Sequence, residues 1–257
     1  MPYSIVIPAR FAATRLPGKP LREIAGKPLL QHVYECAQRT QARRVIIATD
    51  DARIHETAKG FGAEVCMTSS HHQSGTQRIN EVLDVLAIDD DEIIVNLQGD
   101  EPLMPASCIA QVAELLANNP DAQVSTLATP VTQAGEVFDP NVVKVVLNKQ
   151  GRALYFSRAP IPWQQGSFEH GRVNETQPIP CLRHIGMYAY RAGYIKEYVL
   201  LPTSPLEMIE SLEQLRVLWH GGSIVVAQAV ELPGHGVDTE QDFERVRLIL
   251  EQNQRGT

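Results

Sequence analysis

Short apolar runs alternate with amphipathic stretches along the first half of the chain. The runs are rich in β-branched residues, which is typical of strands buried on both faces of a sheet. They cover Ser4–Ile7, Arg44–Thr49, Ala63–Met67, Glu92–Leu97 and Val124–Thr129. Helical patterns separate them at Leu29–Arg39, Ala52–Lys59, Gly75–Leu86 and Ala106–Ala117. This order predicts an α/β fold, with an open, mostly parallel twisted sheet flanked by helices and joined by right-handed crossovers.

Two sites set boundaries in this pattern. Pro8 is expected to end the first strand, and the pair Asp50-Asp51 to cap the helix that starts at Ala52. After Pro130 the alternation becomes less regular. The further elements predicted there are strands at Val142–Leu147, His184–Tyr190 and Ser223–Val230, and helices at Pro205–Trp219 and Glu240–Gln252. The loop Pro160–Pro180, rich in proline, glycine and glutamine, is the best candidate for a mobile or partner-facing segment.

Composition narrows the class of protein. The 257 residues suit one large α/β domain or one domain with an appendage, and a net charge of −7 disfavours nucleic acid as a general partner. The four cysteines are widely scattered without metal-ligand spacing, so we expect buried thiols in a reducing cytosol. No basic and apolar leader and no run long enough to span a membrane is visible, so we expect neither a signal peptide nor a membrane partner.

Three cations follow the first strand within ten residues: Arg10, Arg15 and Lys19. Ligands of open α/β sheets bind beyond the carboxyl ends of the strands, so this loop predicts an anion site. It is not a P-loop, because Ala13 stands at the first glycine position and Pro20 follows the lysine. No G-x-G-x-x-G motif occurs either, so side-chain charge must hold the anion. The alternative is a solvated basic loop.

Asp100 lies just past a buried strand, on the turn Gln98-Gly99-Asp100-Glu101-Pro102. A carboxylate near these cations suits Mg²⁺, which binds one or two carboxylates together with substrate phosphate oxygens. The alternative is an aspartate that merely forms the turn. Gln98 carries a donor and an acceptor and can recognise a nucleobase edge or a hydroxyl.

The helix that begins at Gly75 has the form of a second ligand site. Its free amide groups suit a polar or anionic ligand, and Arg78 in its first turn opposes the helix dipole unless an anion lies near. In the second half, His184, Gly186 and Tyr188 share one face of a strand, and Gly186 leaves room beside them. Arg158 can bind a carboxylate through two hydrogen bonds. For His184 the alternative is a core histidine with satisfied nitrogens.

The helical pattern after Pro205 has an apolar and a polar face. The apolar positions, expected to face the core, are Leu206, Ile209, Leu212, Leu215 and Trp219. Glu210 and Gln214 are four residues apart and therefore predicted neighbours on the polar face, for which solvent exposure is the default interpretation. Asp238 precedes the last helix and can serve as its cap.

Long motifs in this chain resemble those of the nucleotidyltransferases that activate sugars. IPARFAATRLPGKPL and NLQGDEP narrow the resemblance to the cytidylyltransferases of acidic sugars. PNVVKVVL, ALYFSRAPIPW, LRHIGMYAYR, SPLEMIESLEQLRVLW and GVDTEQDFERVR extend it over nearly the whole chain. One departure is Ala13, where many relatives carry serine, so one phosphate hydrogen bond is in doubt.

The resemblance implies a Rossmann-like nucleotidyltransferase domain over residues 1–257. Its nucleotide-binding part would comprise about 1–130 and 223–257, and a smaller sugar-binding and dimerisation part about 131–222. The implied reaction is the Mg²⁺-dependent transfer of CMP from CTP to the anomeric hydroxyl of Kdo (3-deoxy-manno-octulosonate), with release of pyrophosphate. A homodimer in the cytoplasm, acting in lipopolysaccharide synthesis without nucleic acid or membrane partners, is expected. The alternatives are another acidic sugar such as sialic acid, a nucleotide-binding regulator without turnover, or a related glycosyltransferase.

The resemblance also assigns roles to residues. The catalytic residues would be Arg10, Lys19, Asp100 and Asp238, and the metal ligands Asp100 and Asp238. CTP would contact Ala9, Arg10, Arg15, Lys19, Ser74, Gly75, Arg78, Gln98 and Asp100, with Arg78 and Gln98 against the cytidine. The sugar would contact Arg158, His184, Tyr188, Glu210 and Gln214.

Overall fold

The computed structural model describes residues 2–12, 16–169, 172–173 and 178–255. The strands are β1 (Tyr3–Ala9), β2 (Glu23–Ile24), β3 (Lys27–Pro28), β4 (Arg44–Thr49), β5 (Glu64–Met67), β6 (Ile93–Asn96), β7 (Val124–Pro130), β8 (Lys144–Leu147), β9 (Ala153–Ser157), β10 (Phe168–Glu169), β11 (Arg172–Val173), β12 (Leu182–Arg191) and β13 (Ile224–Gln228). The α-helices are α1 (Leu29–Gln38), α2 (Ala52–Gly60), α3 (Gly75–Val85), α4 (Ala106–Ala117), α5 (Ala134–Phe138), α6 (Ala192–Tyr198), α7 (Pro205–Glu210), α8 (Gln214–Trp219) and α9 (Glu240–Arg255). A short 3₁₀-helix covers Lys19–Leu21.

The main sheet has the strand order β13-β7-β12-β6-β1-β4-β5, with β8 beside β12 and β9 beside β8. Strands β6, β1, β4 and β5 run parallel to one another, and β13 runs parallel to β7. The predicted open, mostly parallel sheet is therefore confirmed. Strand β12 is antiparallel to β6 and to β7 and lies between them, so α4 connects two strands that are not neighbours.

Helices on both faces of the sheet explain why β1 is apolar at nearly every position. In β1, Ile5 and Ile7 belong to a core that includes residues of α1, α2 and α4. Val6 points to the other face, into a core that includes residues of α3, α6 and α8. All three side chains are fully buried. Both faces of β1 are thus covered, as expected for a parallel sheet in an α/β protein.

Most predicted boundaries agree with the observed elements to within two residues, and the cap by Asp51 is confirmed through bonds from the backbone N–H groups of Arg53 and Ile54. Pro8 was expected to end the first strand, and this was wrong. It lies inside β1, opposite Ala48 of β4. Pairing of β1 with β6 stops at Val6, so a proline at this position removes no hydrogen bond from that side of the sheet.

The single helix predicted over residues 205–219 was also wrong. Ser211 has a left-handed backbone conformation, with φ 53 and ψ 50, and separates α7 from α8. The helical repeat is lost at this point, so the expected core stripe does not continue. Ile209 is 79% exposed and Trp219 is 53% exposed, whereas Leu215 is buried. Strand β9 and helix α6 were not predicted at all.

The predicted division of the domain stays a prediction, although β12 belongs to the 131–222 part and lies in the middle of the main sheet. The loop of residues 160–180 contains the small hairpin β10–β11, and part of it lies outside the described residues. Among the described helices, none combines the length and apolar character that a membrane crossing requires.

We predict that Gly99→Ala destabilises the fold. A Cβ atom at this position would lie 2.9 Å from the carbonyl oxygen of Pro8, and this backbone contact cannot relax by a side-chain rotation. The expected loss is about 1–3 kcal/mol of unfolding free energy, the usual range for overpacking. The measurement is equilibrium urea unfolding.

Gly60→Ala is the matched control. Gly60 ends α2, and a Cβ atom there would meet nothing within 4 Å. Alanine is the better helix former by about 1 kcal/mol, so this variant should be as stable as the parent or slightly more stable. Equal stability of the Gly99→Ala variant and the parent would contradict the prediction.

Candidate active site

Lys19, Asp100 and Asp238 meet at one point beyond the carboxyl ends of β1 and β6. The Lys19 ammonium lies 2.7 Å from Asp100 Oδ2 and 3.5 Å from Asp238 Oδ1. It also donates a hydrogen bond of 2.6 Å to the carbonyl oxygen of Val237. The Val237 N–H in turn donates to the carbonyl oxygen of Asp100 at 2.8 Å. Two carboxylates that are far apart in the sequence are therefore held against the same cation.

This donor set fits a magnesium ion that is completed by substrate. Asp100 and Asp238 supply anionic oxygens, the ligands that Mg²⁺ prefers, and Mg²⁺ commonly takes its remaining ligands from water and phosphate. Within the described residues, no cluster of three or more metal-ligating side chains exists that could hold a metal alone. The alternative role of Asp238 as the cap of α9 is filled by Thr239, whose hydroxyl accepts from the Asp242 N–H at 3.2 Å.

A cavity of about 240 Å³ opens beside Lys19 and Asp100. It is lined by Pro8, Ala9, Arg10, Ala12, Lys19, Pro20, Gly75, Gln98, Gly99 and Asp100. The structure thus brings together six residues that the resemblance assigned to CTP. Ser74, also assigned, caps α3 by accepting from the Gln77 N–H at 3.2 Å. Arg15 lies outside the described residues, so its predicted role is untested.

Arg10 presents an unused donor beside this cavity. Its Nη2 group is buried and has no hydrogen-bond partner within the described part of the chain. Burial, and then the positive charge of Arg78, lowers the Arg10 pKa from its ordinary value. A buried donor without a partner is costly, and a phosphate oxygen bound here would remove that cost.

Arg78 lies deeper than Arg10. Its side chain is fully buried, and Nη2 donates to Asp50 Oδ2 at 2.9 Å. Nη1 donates to the Thr68 hydroxyl, and Nε has no partner among the described residues. Asp50 therefore supplies the anion that the sequence required near this arginine. Arg78 lines neither cavity of the site, so its assignment to the cytidine stays a prediction.

A second cavity of about 250 Å³ adjoins the first, because Gly75 and Gln98 line both. Its walls are Gly75, Thr76, Asn96, Gln98, Tyr188, Tyr190, Ser211, Leu212, Glu213 and Gln214. Tyr188 pairs directly with Asn96 because β12 lies next to β6. Gln98 Nε2 donates to Asn96 Oδ1 at 3.1 Å. Tyr188 and Gln214 are therefore the residues assigned to the sugar that line this cavity.

Sequence reasoning missed five polar residues of the second cavity: Thr76, Asn96, Tyr190, Ser211 and Glu213. Asn96 had a usable signal, since it is a polar residue at the tip of an otherwise apolar strand in NLQGDEP. Tyr190 follows Tyr188 by the two-residue period of a strand. Glu213 gave no such signal, because only the break between α7 and α8 brings it to the cavity.

His184 lies behind Tyr188 and lines neither cavity. Its Nε2 is 3.0 Å from the Thr126 hydroxyl, and its ring lies 4.9 Å from that of Phe156 and 5.3 Å from that of Tyr188. Burial lowers the His184 pKa to about 3, so the ring is neutral at physiological pH. The contacts favour the core-histidine alternative. The expected space at Gly186 is present, since a Cβ atom there would meet nothing within 4 Å.

Arg158 and Glu210 each form hydrogen bonds with the part of the chain that carries the other residue. Arg158 Nε donates to the Glu210 carbonyl oxygen at 2.7 Å, and Nη1 donates to that of Pro140 at 2.8 Å. The Glu210 carboxylate accepts from the Ser157 hydroxyl at 2.6 Å and from the Arg158 N–H at 3.0 Å. Glu210 and Gln214 were predicted to be neighbours on one continuous helix. This prediction was wrong, because the break at Ser211 puts Glu210 at the end of α7 and Gln214 at the start of α8. Sugar contacts by Arg158 and Glu210 stay predictions.

Glu101 adds a third carboxyl group behind Asp100 and Asp238. Burial, and then the charges of Asp100 and Asp238, raises the Glu101 pKa to about 8. A Cβ atom at Gly236 would lie 3.0 Å from Glu101 Oε1, so the backbone of that segment packs against the carboxyl group. At neutral pH the Glu101 side chain is therefore a mostly protonated carboxylic acid beside Asp100 and Asp238.

This arrangement predicts that Glu101 makes the protein less stable as the pH rises. The folded protein retains the proton up to about pH 8, whereas the unfolded chain loses it near the ordinary glutamate pKa of 4.5. Each pH unit between these values costs up to about 1.4 kcal/mol of unfolding free energy. Glu101→Gln should therefore gain stability over the parent between pH 5 and pH 8, measured by urea unfolding in EDTA.

Glu114→Gln is the control, because it removes the same charge from an exposed position on α4. Its stability relative to the parent should not change over the same pH range. A Glu101→Gln difference that is constant with pH would contradict a buried, protonated Glu101.

Comparisons with known proteins agree with this geometry. The family profile described as "Cytidylyltransferase" matches residues 4–224. The 3-deoxy-manno-octulosonate cytidylyltransferase of Aliivibrio fischeri strain ES114 is 55% identical over 250 residues, which cover 97% of this chain and 99% of that protein. The protein of the same name from Pasteurella multocida strain Pm70 is 54% identical over 255 residues, covering 97% and 98% of the two chains.

Two solved structures are also similar. One is CMP:2-keto-3-deoxy-manno-octonic acid synthetase complexed with CTP, with a TM-score of 0.89 and 40% identity, covering 98% of this chain and all of that one (100%). The other is 4-diphosphocytidyl-2C-methyl-D-erythritol synthase, with a TM-score of 0.63 and 15% identity, covering 97% and 98% of the two chains. At that identity the second structure supports the fold alone.

Proposed function

The chain belongs to the cytidylyltransferase family, and on this basis we propose that it transfers CMP from CTP to the anomeric hydroxyl of Kdo, forming CMP-Kdo and releasing pyrophosphate. Relatives that are 54–55% identical over nearly the whole chain carry the name of this activity. The structural observation that carries the proposal is the meeting of Lys19, Asp100 and Asp238 beside a cavity that Arg10 also lines.

We assign the two adjoining cavities to the two substrates. The triphosphate binds in the cavity of Arg10, Lys19 and Gly75, where two cations and the first amides of α3 offer positive charge. The sugar binds in the cavity lined by Tyr188 and Gln214. Gln98 lies at the junction of the two cavities. In this arrangement the α-phosphate and the anomeric hydroxyl meet near Asp100.

The residues act by positioning and charge, without a protein nucleophile. The anomeric hydroxyl attacks the α-phosphorus in line with the pyrophosphate leaving group. Lys19 and Arg10 stabilise the negative charge that develops on the leaving group. Asp100 and Asp238 would hold Mg²⁺, which when bound makes the hydroxyl more acidic and neutralises phosphate charge. The neutral His184 supports the Tyr188 ring in the wall of the sugar cavity.

The cellular setting follows from the same assignment. We place the enzyme in the cytoplasm, where CTP is available, and propose that its product supplies activated Kdo for lipopolysaccharide synthesis. We further propose a homodimer whose contacts lie in the 131–222 part.

The activity assay measures pyrophosphate release from CTP, UTP, ATP and GTP, each with Kdo, with sialic acid and without sugar. We expect release with CTP and Kdo. A pocket that makes hydrogen bonds to one base leaves buried groups unpaired with another, which costs roughly 1–3 kcal/mol per group. CTP should therefore be preferred by about tenfold or more. Equal rates with CTP and ATP would contradict the cytidine assignment, and turnover of sialic acid alone would identify another acidic sugar as substrate.

Asp238→Asn tests the metal assignment. The substitution keeps the size of the side chain but removes an anionic ligand, so kcat should fall by at least about a hundredfold, or roughly 2.7 kcal/mol. Asp100→Asn should have a similar effect, and the double variant should be little worse because the two residues act as one unit. The measurements are kcat as a function of Mg²⁺ concentration and thermal melting.

Asp90→Asn is the control, since this carboxylate is exposed and pairs with Lys196 at 2.6 Å, outside both cavities. It should have the kcat of the parent at every Mg²⁺ concentration. Full activity of Asp238→Asn at low Mg²⁺ would contradict the metal assignment and leave Asp238 with a structural role only.

A further inference from the structure

Lys144 is a fully buried lysine that lines neither cavity of the site. Its ammonium group donates to three backbone carbonyl oxygens: Asp139 at 2.9 Å, Val142 at 2.5 Å and Arg158 at 2.7 Å. Two of these belong to the turn before β8, and the third follows the end of β9. A buried ammonium with three carbonyl partners joins the two segments rigidly, because each donor and acceptor would otherwise be unsatisfied.

Arg158 continues the connection from β9 to the break between α7 and α8. Its guanidinium donates to the Pro140 carbonyl oxygen at 2.8 Å, so both cations hold the same turn. It also donates to the carbonyl oxygens of Glu210 at 2.7 Å and of Ser211 at 3.4 Å. These are carbonyl groups at the end of α7 that have lost their helical partners. The guanidinium therefore acts as a C-terminal cap supplied from a distant part of the chain.

The break at Ser211 shapes the second cavity. Ser211, Leu212, Glu213 and Gln214 form one wall, opposite Tyr188 on β12. In a continuous helix these side chains would follow the 3.6-residue repeat and could not all reach one wall. The position of this wall depends on how firmly the end of α7 is held.

We propose that Lys144 is a positioning residue for the sugar substrate. It fixes Arg158, Arg158 fixes the end of α7, and this connection sets the wall of residues 211–214 against which the sugar binds. The proposal rests on the proposed function for the identity of the substrate, but the connection itself concerns only this chain. Lys144 contacts no substrate in this scheme and acts through Arg158.

Arg191 offers a matched control. It is also a cation that donates to three backbone carbonyl oxygens, those of Ala122 at 3.1 Å, Leu116 at 3.2 Å and Asn119 at 3.4 Å. These carbonyl groups belong to the end of α4 and the turn that follows it, and none of the three residues lines either cavity. Replacing Arg191 therefore removes a comparable set of hydrogen bonds without disturbing the 211–214 wall.

The experiment compares Lys144→Met with Arg191→Met. For Lys144→Met we expect the KM for Kdo to rise by about tenfold, with the KM for CTP and kcat changed by no more than about twofold, since binding geometry and not chemistry is altered. For Arg191→Met we expect a lower melting temperature but both KM values within about twofold of the parent. Lys144→Gln, which keeps donor groups, should lie between Lys144→Met and the parent.

Hydrogen exchange of the segment 205–214 supplies a readout that does not depend on turnover. Exchange there should be faster in Lys144→Met than in the parent and unchanged in Arg191→Met. If Lys144→Met does not fold, Lys144→Gln is measured in its place. An unchanged KM for Kdo, an equal rise in both KM values, or an unchanged exchange rate in 205–214 would overturn the proposal. A parent protein that makes no CMP-Kdo would instead contradict the proposed function, and hydrogen exchange would still decide the role of Lys144.

Discussion

The Lys19 ammonium is the point on which the site depends. It is only 12% exposed and contacts Asp100, Asp238 and the Val237 carbonyl oxygen, so two distant segments converge on one positive charge. Without it, two carboxylates would face each other beside the Glu101 carboxyl group. Their repulsion already contributes to the raised pKa of Glu101. A cation at this place keeps the acidic groups together.

Strand β12 provides the second constraint. It enters the sheet antiparallel between β6 and β7 and places Tyr188 directly opposite Asn96. The carboxyl end of β6 leads to Gln98 and Asp100, so this pairing sets the cavity lined by Tyr188 and Gln214 beside the cavity lined by Arg10 and Lys19. A strand parallel to β6 at this position would instead place its own carboxyl end, and the loop that follows it, at this end of the sheet. One reversed strand therefore joins the two cavities.

Lys144 and Arg158, through hydrogen bonds to carbonyl groups, hold the wall of residues 211–214. Lys144 and Arg158 together bind the turn before β8, the end of β9 and the end of α7. The Glu210 carboxylate lies in the same cluster and balances part of the charge. Such a cluster is rigid because removing any one donor leaves buried acceptors unpaired. The cavity wall is formed at the break between α7 and α8, so its position depends on a firmly held end of α7.

The sequence alone determined the strands of the parallel half, because a strand covered on both faces is apolar at most of its positions. It also determined the cations and the aspartate at the strand tips, because chain order brings these ends to one edge. Only the tertiary structure decided which distant residues contact one another. Asp50 neutralises Arg78, and Arg158 caps the end of α7 at Ser211 from 53 positions away. These are single contacts between distant segments, and they leave no periodic signal in either segment. For the same reason spacing did not connect Asp238 with Asp100.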